Sequence, residues 1–305
     1  MIVVGGEALV DLVIDPDGVV TAKLGGGPFN VARAIGRLRS EVAFLGALSG
    51  DRFGSLLHRQ LLADHVDDSL VQLTDLPTTL AAAELDEHGA ATYHFYFSET
   101  AAPSLHPCPL PDGVTILHVG TLGMVLEPMA TSLEAMVGRV GADVLVLLDP
   151  NCRPRVTPDR VGFVARLNRM LQRADVVKVS TDDLAFISPD DNSAGVRMLL
   201  EGGARVVLHT DGGRAVHTHW SGEEVEVPVP SVEVVDTIGA GDSFGGAFAA
   251  WWDQAGLGRG DLDDREAVTA AVTAAVEVAA VSCTRVGAQP PSRAELGDHW
   301  NPARP

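Results

Sequence analysis

Short apolar runs recur along this chain, and helical patterns separate most of them. The residues from Val31 to Leu38 and from Phe163 to Leu171 place apolar side chains at the spacing of one helix face. The runs that predict strands are Ile2 to Val4, Val42 to Leu45, Thr115 to Val119, Val144 to Leu148, Val176 to Val179 and Arg205 to Leu208. Strands that are apolar throughout and alternate with helices predict an α/β fold, a doubly wound, mostly parallel sheet flanked by helices.

Two stretches break this alternation. Residues 9–24 and 79–98 show hairpin-like patterns around the turn sequences Asp15-Pro16-Asp17-Gly18 and Asp86-Glu87-His88-Gly89. We interpret them as a small β-sheet lid that projects from the main sheet. A chain of 305 residues is then read as one α/β domain, residues 1–305, with the lid inserted in it.

The charged residues and the cysteines argue against several classes of protein and site. The 22 Lys and Arg residues face 41 Asp and Glu residues, and a formal net charge of −19 disfavours nucleic acid as a partner. Lys23 and Lys178 are the two lysines, and neither precedes Ser or Thr, so the chain has no Walker A phosphate loop. The scattered cysteines Cys108, Cys152 and Cys283 favour a reducing compartment and no structural zinc.

Membrane and export signals are also missing from the sequence. The longest run without a charged side chain, Gly113 to Leu126, is shorter than the roughly 20 residues of a membrane span. The N-terminus lacks the basic start and apolar stretch of a signal peptide. The apolar segment from Arg265 to Cys283 contains Glu277 and suits a packed core helix. We therefore predict a cytoplasmic protein without a membrane partner.

The segment from Asp236 to Ala247 is the strongest chemical signal. It follows a strand-like run, Val232 to Val235, and leads into an apolar helix, Ala247 to Trp252. Its Gly-Ala-Gly turn, at residues 239–241, lets backbone N–H groups and a helix dipole face an anion. Asp242 follows that turn, and it is either a functional carboxylate or an N-cap of the helix.

A second glycine-rich segment, Gly25 to Asn30, runs straight into the helical pattern that starts at Val31. Its glycines permit close approach of a ligand to the backbone, and Asn30 can donate and accept hydrogen bonds to a polyol. Neither glycine segment fits the Gly-x-Gly-x-x-Gly pattern of dinucleotide-binding folds. A dehydrogenase is therefore disfavoured.

With these segments in their order and positions, the chain resembles the ribokinase-like sugar kinases, the PfkB family, and within it the bacterial fructokinase branch. The resemblance extends nearly from end to end. It rests on Gly6 to Asp11, Gly25 to Leu38, Asp149 to Pro154, Asp236 to Asp242 and Cys283 to Pro290. It implies a ribokinase-like fold and ATP-dependent phosphorylation of a primary sugar hydroxyl.

The resemblance also implies roles for individual residues. Asp242 corresponds to the family's general base, and the N–H groups of Gly239, Ala240 and Gly241 correspond to its anion hole. The residues that correspond to sugar contacts are Asp11, Gly26, Gly27 and Asn30, and Arg153 is predicted to reach either the sugar or the phosphoryl groups. An alternative for Arg153 is a surface arginine at the sheet edge.

Nucleotide and metal positions follow from the same resemblance. The predicted nucleotide contacts are Lys178, Ser180, Thr210 and Gly212, together with Gly239 and Gly241. Asp183 is predicted to serve Mg²⁺ through water, with Asp182 as an alternative, although Ser180 to Asp183 fits a capped helix start equally well. The predicted K⁺ site consists of Asp236, Ile238, Ser282, Arg285 and Gly287, mostly through backbone carbonyls. His217 and His219 would share a strand face, but no third metal ligand is evident.

We therefore expect an ATP-dependent sugar kinase with fructose as acceptor. Within this class, 2-keto-3-deoxygluconate is the alternative acceptor, followed by ribose or a nucleoside. From another class, a catalytically silent sugar- or nucleotide-binding sensor would keep the fold. The exposed face of the lid suggests a homodimer.

Overall fold

The computed structural model describes residues 1–87, 91–189 and 191–302. Its strands are β1 (Ile2–Gly5), β2 (Leu9–Ile14), β3 (Val20–Gly25), β4 (Val42–Ser49), β5 (Val71–Thr74), β6 (Leu80–Leu85), β7 (Ala91–Tyr96), β8 (Ile116–Gly120), β9 (Leu145–Asp149), β10 (Val176–Ser180), β11 (Val206–Thr210), β12 (Ala215–Trp220) and β13 (Glu223–Pro228). Its α-helices are α1 (Gly27–Arg37), α2 (Arg52–Ala63), α3 (Met129–Arg139), α4 (Arg160–Leu171), α5 (Thr181–Ile187), α6 (Asn192–Gly202), α7 (Ala240–Gln254), α8 (Arg265–Cys283) and α9 (Arg293–Leu296).

The main sheet has the order β13-β12-β11-β10-β9-β8-β1-β4-β5. The seven consecutive strands β11, β10, β9, β8, β1, β4 and β5 run parallel to one another, whereas β12 is antiparallel to β11 and β13 is antiparallel to β12. All six predicted apolar runs lie in this sheet, so the prediction of a mostly parallel sheet is confirmed.

Both faces of the sheet are covered, which explains why its strands are continuously apolar. Ile2 and Val4 of β1 belong to a core with α1, α2, α7 and α8, whereas Val3 belongs to a core with α3, α4, α5 and α6. Leu147 and Leu148 of β9 divide between the two cores in the same way. Successive side chains of a strand point to opposite faces, so every position must be apolar.

The predicted lid is a separate sheet with the order β3-β2-β6-β7. The hairpin turn at Asp15 to Gly18 is present, with Gly18 at a φ of 84°. The second predicted turn includes His88 and Gly89, which lie outside the described residues. Register places Ile14, Val20 and Tyr96 on one face of this small sheet, which we call the outer face, and Asp11 and Phe95 on the other, which we call the inner face.

Two local predictions are wrong. The run from Val232 to Val235 is irregular rather than a strand, and the backbone N–H of Val235 donates to the carbonyl of Cys283. Pro228 and Pro230 flank the exit from β13, and proline cannot donate to a strand ladder. The two glycine-rich segments also begin their helices earlier than the apolar patterns indicate, at Gly27 in α1 and Ala240 in α7.

The apolar segment from Arg265 to Cys283 is the single helix α8. It is long and apolar enough to span a membrane by length and composition alone. Its buried residues include Ala267, Val268 and Ala271, which join the core that α8 shares with α7 and α1. The predicted core packing of this helix is therefore confirmed.

Candidate active site

The predicted site residues gather at one edge of the main sheet. Asp149, Ser180 and Thr210 are the last residues of the parallel strands β9, β10 and β11, and Ser180 and Thr210 are register partners. β1 lies between β4 and β8, and the strand order changes direction there. In open α/β sheets such a reversal forms a crevice at the carboxyl ends of the strands, where ligands bind.

Asp242 and Asn30 join the two glycine-rich segments. Asn30 Nδ2 donates a hydrogen bond to Asp242 Oδ2 over 2.9 Å, and both side chains are buried. The close approach of α7 to α1 requires Gly246, because a Cβ there would lie 2.9 Å from the Val31 carbonyl oxygen. Asn30 Oδ1 is buried and has no hydrogen-bond partner among the described residues, so it can accept from a ligand hydroxyl.

The surroundings of Asp242 shift its protonation. Burial raises the pKa of Asp242, while the hydrogen bond from Asn30 and the charges of Lys178 and Arg153 oppose that rise. A carboxylate whose pKa moves toward neutrality is a better proton acceptor. Asp242 is the third residue of α7 and Gly239 is the N-cap, so the alternative that Asp242 caps the helix is wrong.

The N-terminus of α7 carries the predicted anion hole. Gly239 adopts a left-handed conformation with a φ of 76°, and a Cβ there would lie 2.5 Å from the Ala288 Cβ. The N–H groups of Gly239 and Gly241 have no acceptor within the described part of the chain. The N–H of Ala240, in contrast, donates to the Thr237 carbonyl over 3.2 Å. Two of the three predicted donors are therefore free to bind an anion.

A buried ion pair lies beside this helix end. Lys178 Nζ contacts Asp149 Oδ2 at 2.9 Å and Oδ1 at 3.1 Å, and a Cβ on Gly241 would lie 3.1 Å from the same ammonium. Burial raises the pKa of Asp149 to about 6, against the lowering effect of Lys178. Burial disfavours charge on Lys178, but the nearby carboxylates, Asp149 first, raise its pKa overall. The pair places the Lys178 amino group next to the turn.

Asp183 is held by three donors. Its Oδ2 accepts from the Ser180 N–H and the Ser180 hydroxyl, each over 2.7 Å, and its Oδ1 accepts from the Cys152 N–H over 2.5 Å. Ser180 and Asp183 form a capping box at the start of α5, as expected if this segment is a capped helix start. Asp182 is exposed at the same helix start. No three His, Cys, Asp or Glu side chains within residues 1–87, 91–189 and 191–302 form a metal site by themselves.

The predicted sugar residues lie where the small sheet meets α1. Burial raises the pKa of Asp11 to about 6, and its Oδ2 would lie 2.4 Å from a Cβ on Gly25. Gly26 has a φ of 110°, and a Cβ there would lie 2.6 Å from the Glu7 carbonyl oxygen. The glycines are therefore needed to bring this backbone close to the site.

Sequence reasoning missed Glu7. Its side chain is 1% exposed, its Oε1 accepts from the Gly27 N–H over 3.0 Å, and its Oε2 accepts from the Gly123 N–H over 3.2 Å. Burial raises the pKa of Glu7 to about 8, although the backbone hydrogen bonds lower it. A glutamate within the apolar start of the chain was the available signal. Glu7 fixes the Gly26-Gly27 turn.

The other residues predicted to contact the sugar or the nucleotide are less buried. Arg153 is exposed, and its guanidinium donates to the carbonyls of Asn151 and Cys152. Thr210 contacts the Val179 carbonyl over 3.4 Å, and Gly212 adopts a φ of 58° in open space. These residues border the crevice without contacting Asp242 in the described structure.

The predicted cation residues connect two loops. Asp236 Oδ1 accepts from the Ile238 N–H over 3.0 Å, and Oδ2 accepts from the Gly287 N–H over 2.8 Å. The Ser282 carbonyl accepts from the Arg285 N–H over 3.1 Å. Asp236 thus ties the segment before α7 to the segment after α8.

His217 and His219 share a strand face, as expected. His209 of β11 joins them, and the three ring centroids lie 5.5 to 6.3 Å apart with the planes within 30° of parallel. The rings stack instead of directing their nitrogens at one point.

The sequence of this chain is similar to those of known proteins. Residues 1–295 match the family model described as pfkB family carbohydrate kinase. A fructokinase from Rhizobium leguminosarum bv. trifolii is 35% identical over 259 residues, which cover 82% of this chain and 79% of that protein.

Solved structures are also similar to this chain over most of its length. A fructokinase from Xylella fastidiosa with bound ATP is similar with a TM-score of 0.87 and 30% identity, covering 94% of this chain and 93% of that one. A fructokinase from Vibrio cholerae O395 with fructose, ADP and calcium is similar with a TM-score of 0.83 and 27% identity, covering 97% of each chain. The predicted ribokinase-like fold is therefore confirmed.

Proposed function

This chain belongs to the pfkB family of carbohydrate kinases, and from that premise we propose that it transfers the γ-phosphate of ATP to a primary hydroxyl of fructose. The observation that carries the proposal is the buried contact between Asn30 and Asp242. It joins a residue that can bind a hydroxyl to a carboxylate that can take its proton. Both stand beside the N-terminus of α7, which suits a phosphoryl group.

Asp242 acts as the general base. Its carboxylate accepts the proton of the sugar hydroxyl, which then attacks the γ-phosphorus in line, and the P–O bond to ADP breaks. Asn30 orients the carboxylate through Nδ2 and leaves Oδ1 for the sugar. A base of this kind contributes about 10² to 10⁴ in rate.

The N-terminus of α7 stabilises the transferred group. The N–H groups of Gly239 and Gly241 donate to the phosphoryl oxygens, and that of Ala240 joins them if it leaves the Thr237 carbonyl. Lys178 adds positive charge beside Gly241. Ser180, Thr210 and Gly212 at the neighbouring strand ends bind the nucleotide, and Arg153 contacts the sugar or the phosphoryl groups. Together these groups stabilise the negative charge of the transferred phosphoryl group without a Walker lysine.

The small sheet closes over the acceptor as the lid of a single domain, residues 1–305. Asp11 on its inner face accepts hydrogen bonds from sugar hydroxyls, and Gly26 and Gly27 admit the sugar close to the backbone. A homodimer through the outer face, where Val20 is 55% and Tyr96 57% exposed, stays a prediction, as does a cytoplasmic location.

The two expected cations differ in how well the residues fit them. An all-oxygen set of the Asp236 carboxylate and carbonyls at Ile238, Ser282, Arg285 and Gly287 fits K⁺, whose charge would support the anion hole nearby. For Mg²⁺, which neutralises nucleotide phosphates when bound, the fit is poorer because Asp183 is a single carboxylate that already accepts from Ser180 and Cys152, whereas the K⁺ set offers four carbonyls besides its carboxylate. The assignment of Asp183 to water-mediated contact stays a prediction, and no step here depends on it.

A substrate panel tests the proposal. ADP release is measured with Mg-ATP and K⁺ and with fructose, 2-keto-3-deoxygluconate, ribose, glucose or adenosine as acceptor. We expect the highest kcat/KM with fructose, and sugar-dependent release that is at least about a hundredfold slower in Asp242→Asn. A clear preference for another member of the panel would reject fructose as the acceptor, and bound ATP without any turnover would favour the sensor alternative.

Sugar binding is expected to weaken in acid. The pKa of Asp11 is raised to about 6, so the carboxyl takes up a proton as the pH falls through that value and then loses its capacity to accept hydrogen bonds as an anion. We expect kcat/KM for the sugar to fall below pH 6, by up to about tenfold per unit. The measurement is the pH profile of wild type beside Asp11→Asn. An acid limb that is identical in both proteins would remove Asp11 from this role.

A further inference from the structure

One face of α1 reaches both sides of the proposed site. Asn30, Arg33 and Arg37 recur at the i, i+3 and i+7 positions of that helix, which lie on one face. Asn30 contacts Asp242, whereas Arg33 Nη1 donates to the Ala288 carbonyl over 3.1 Å and Arg37 Nε donates to the Pro290 carbonyl over 2.7 Å. The two arginines therefore bind the segment that follows α8 to α1, the helix whose Asn30 contacts the proposed base, Asp242.

Asp64, directly after α2, orients both arginines. Its Oδ2 accepts from Arg33 Nε over 2.7 Å and from Gln60 Nε2 over 2.8 Å, and its Oδ1 accepts from Arg37 Nη1 over 3.0 Å. The carboxylate is 3% exposed. Although burial works in the opposite direction, the hydrogen bonds from Gln60 and Arg33 hold the pKa of Asp64 below its ordinary value. A buried carboxylate bound by two guanidinium groups fixes their direction more firmly than surface pairing would.

The fastened segment supports the turn before α7. Gly287 N–H donates to Asp236, and Ala288 packs where a side chain on Gly239 would stand. Displacement of residues 287–290 would therefore move Asp236 and open space beside Gly239. That turn carries both the proposed anion hole and the proposed K⁺ ligands.

We propose that Asp64 is a positioning residue, which acts through Arg33 and Arg37 to hold residues 285–290 against the nucleotide side of the site. Its effect on catalysis rests on the proposed function, whereas its effect on the segment does not. Asp64 contacts neither the crevice nor Asp242. Its role is to keep the segment from moving when a polyanion binds.

The chain offers a matched control in Asp175. This carboxylate is also fully buried between two arginines, with Arg173 Nη1 at 3.0 Å and Arg259 Nε at 2.5 Å. It also accepts from the Val146 N–H over 2.9 Å. Asp175 precedes β10 and so lies at the opposite edge of the sheet from Ser180. Asp175→Asn removes the same kind of charge without touching the segment.

The test compares Asp64→Asn, Asp175→Asn and the milder Arg37→Met with wild type. Amide hydrogen exchange without ligands is followed at residues 285–290, ATP affinity is measured by calorimetry, and unfolding temperature is recorded for each protein. We expect both asparagine variants to unfold at lower temperature. We expect Asp64→Asn alone to raise exchange in the segment and to weaken ATP binding about tenfold, the size of one charge-assisted hydrogen bond. Arg37→Met, at a partly exposed position, should fold and show a smaller change in the same direction.

The outcomes separate this inference from the proposed function. Unchanged exchange at residues 285–290 in folded Asp64→Asn and Arg37→Met would overturn the positioning role, whatever the enzyme phosphorylates. Equal changes in Asp64→Asn and Asp175→Asn would also overturn it, because they would reflect general loss of stability. If Asp64→Asn raised exchange in this segment and the wild type proved inactive on every acceptor, the positioning role would be supported and the proposed function rejected.

Discussion

The Asp242→Asn variant is expected to lose turnover by about a hundredfold to ten-thousandfold and to keep ATP binding within a few-fold of wild type. An amide has nearly the shape of a carboxylate but cannot accept the hydroxyl proton. The hydrogen bond from Asn30 survives, because the new side-chain oxygen can accept it at the position of Asp242 Oδ2. The variant therefore removes the base while preserving the packing between α1 and α7.

The measurement is kcat for ADP release beside calorimetric affinity for ATP. Asp253→Asn is the matched control, since Asp253 lies at the other end of α7 and accepts a hydrogen bond from Thr115 over 2.7 Å. It should leave kcat near the wild-type value. Retention of most turnover by Asp242→Asn would remove Asp242 from the role of base. Loss of ATP binding along with turnover would mean that the residue supports the nucleotide instead.

The regular part of this fold was predictable because its causes are local. Runs such as Val144 to Leu148 are apolar throughout, as expected of a strand that is buried on both faces. The hairpins of the small sheet follow from turn chemistry, as at Asp15 to Gly18. Asp242 and Asn30 were identified as site residues from their glycine-rich surroundings, and the structure brings them together.

What escaped prediction depends on contacts distant in sequence. Val232 to Val235 has strand composition but no partner strand among the described residues, and the N–H of Val235 donates to the carbonyl of Cys283, the last residue of α8. The pairing of Asp64 with Arg33 and Arg37 joins two helices, and nothing near these residues in the sequence marks them as partners. Glu7 shows the same limit, since its donors Gly27 and Gly123 belong to different segments. A charged residue in an apolar run indicates a buried contact, but the sequence does not show which residues are its partners.

The second large effect is expected from Gly239→Ala. Gly239 has a φ of 76°, and the added Cβ would lie 2.5 Å from the Ala288 Cβ and 2.9 Å from its Cα. The substitution must therefore displace either the turn or residues 285–290, and it also forces alanine into a left-handed conformation that costs about 1 to 2 kcal/mol. Because the turn carries the proposed anion-hole donors, we expect turnover to fall by about 10² or more.

Gly256→Ala separates conformational strain from displacement of the turn. Gly256 follows the other end of α7 with a φ of 65°, and no atom lies within 4 Å of its added Cβ. Both variants should lose about 1 to 2 kcal/mol of unfolding free energy through strain, and Gly239→Ala should lose more because its Cβ also clashes with Ala288. Urea denaturation measures both losses. Gly239→Ala should lose turnover and ATP affinity in addition, whereas Gly256→Ala should keep both. Equal activity in the two variants would show that the contact between Gly239 and Ala288 is dispensable for phosphoryl transfer.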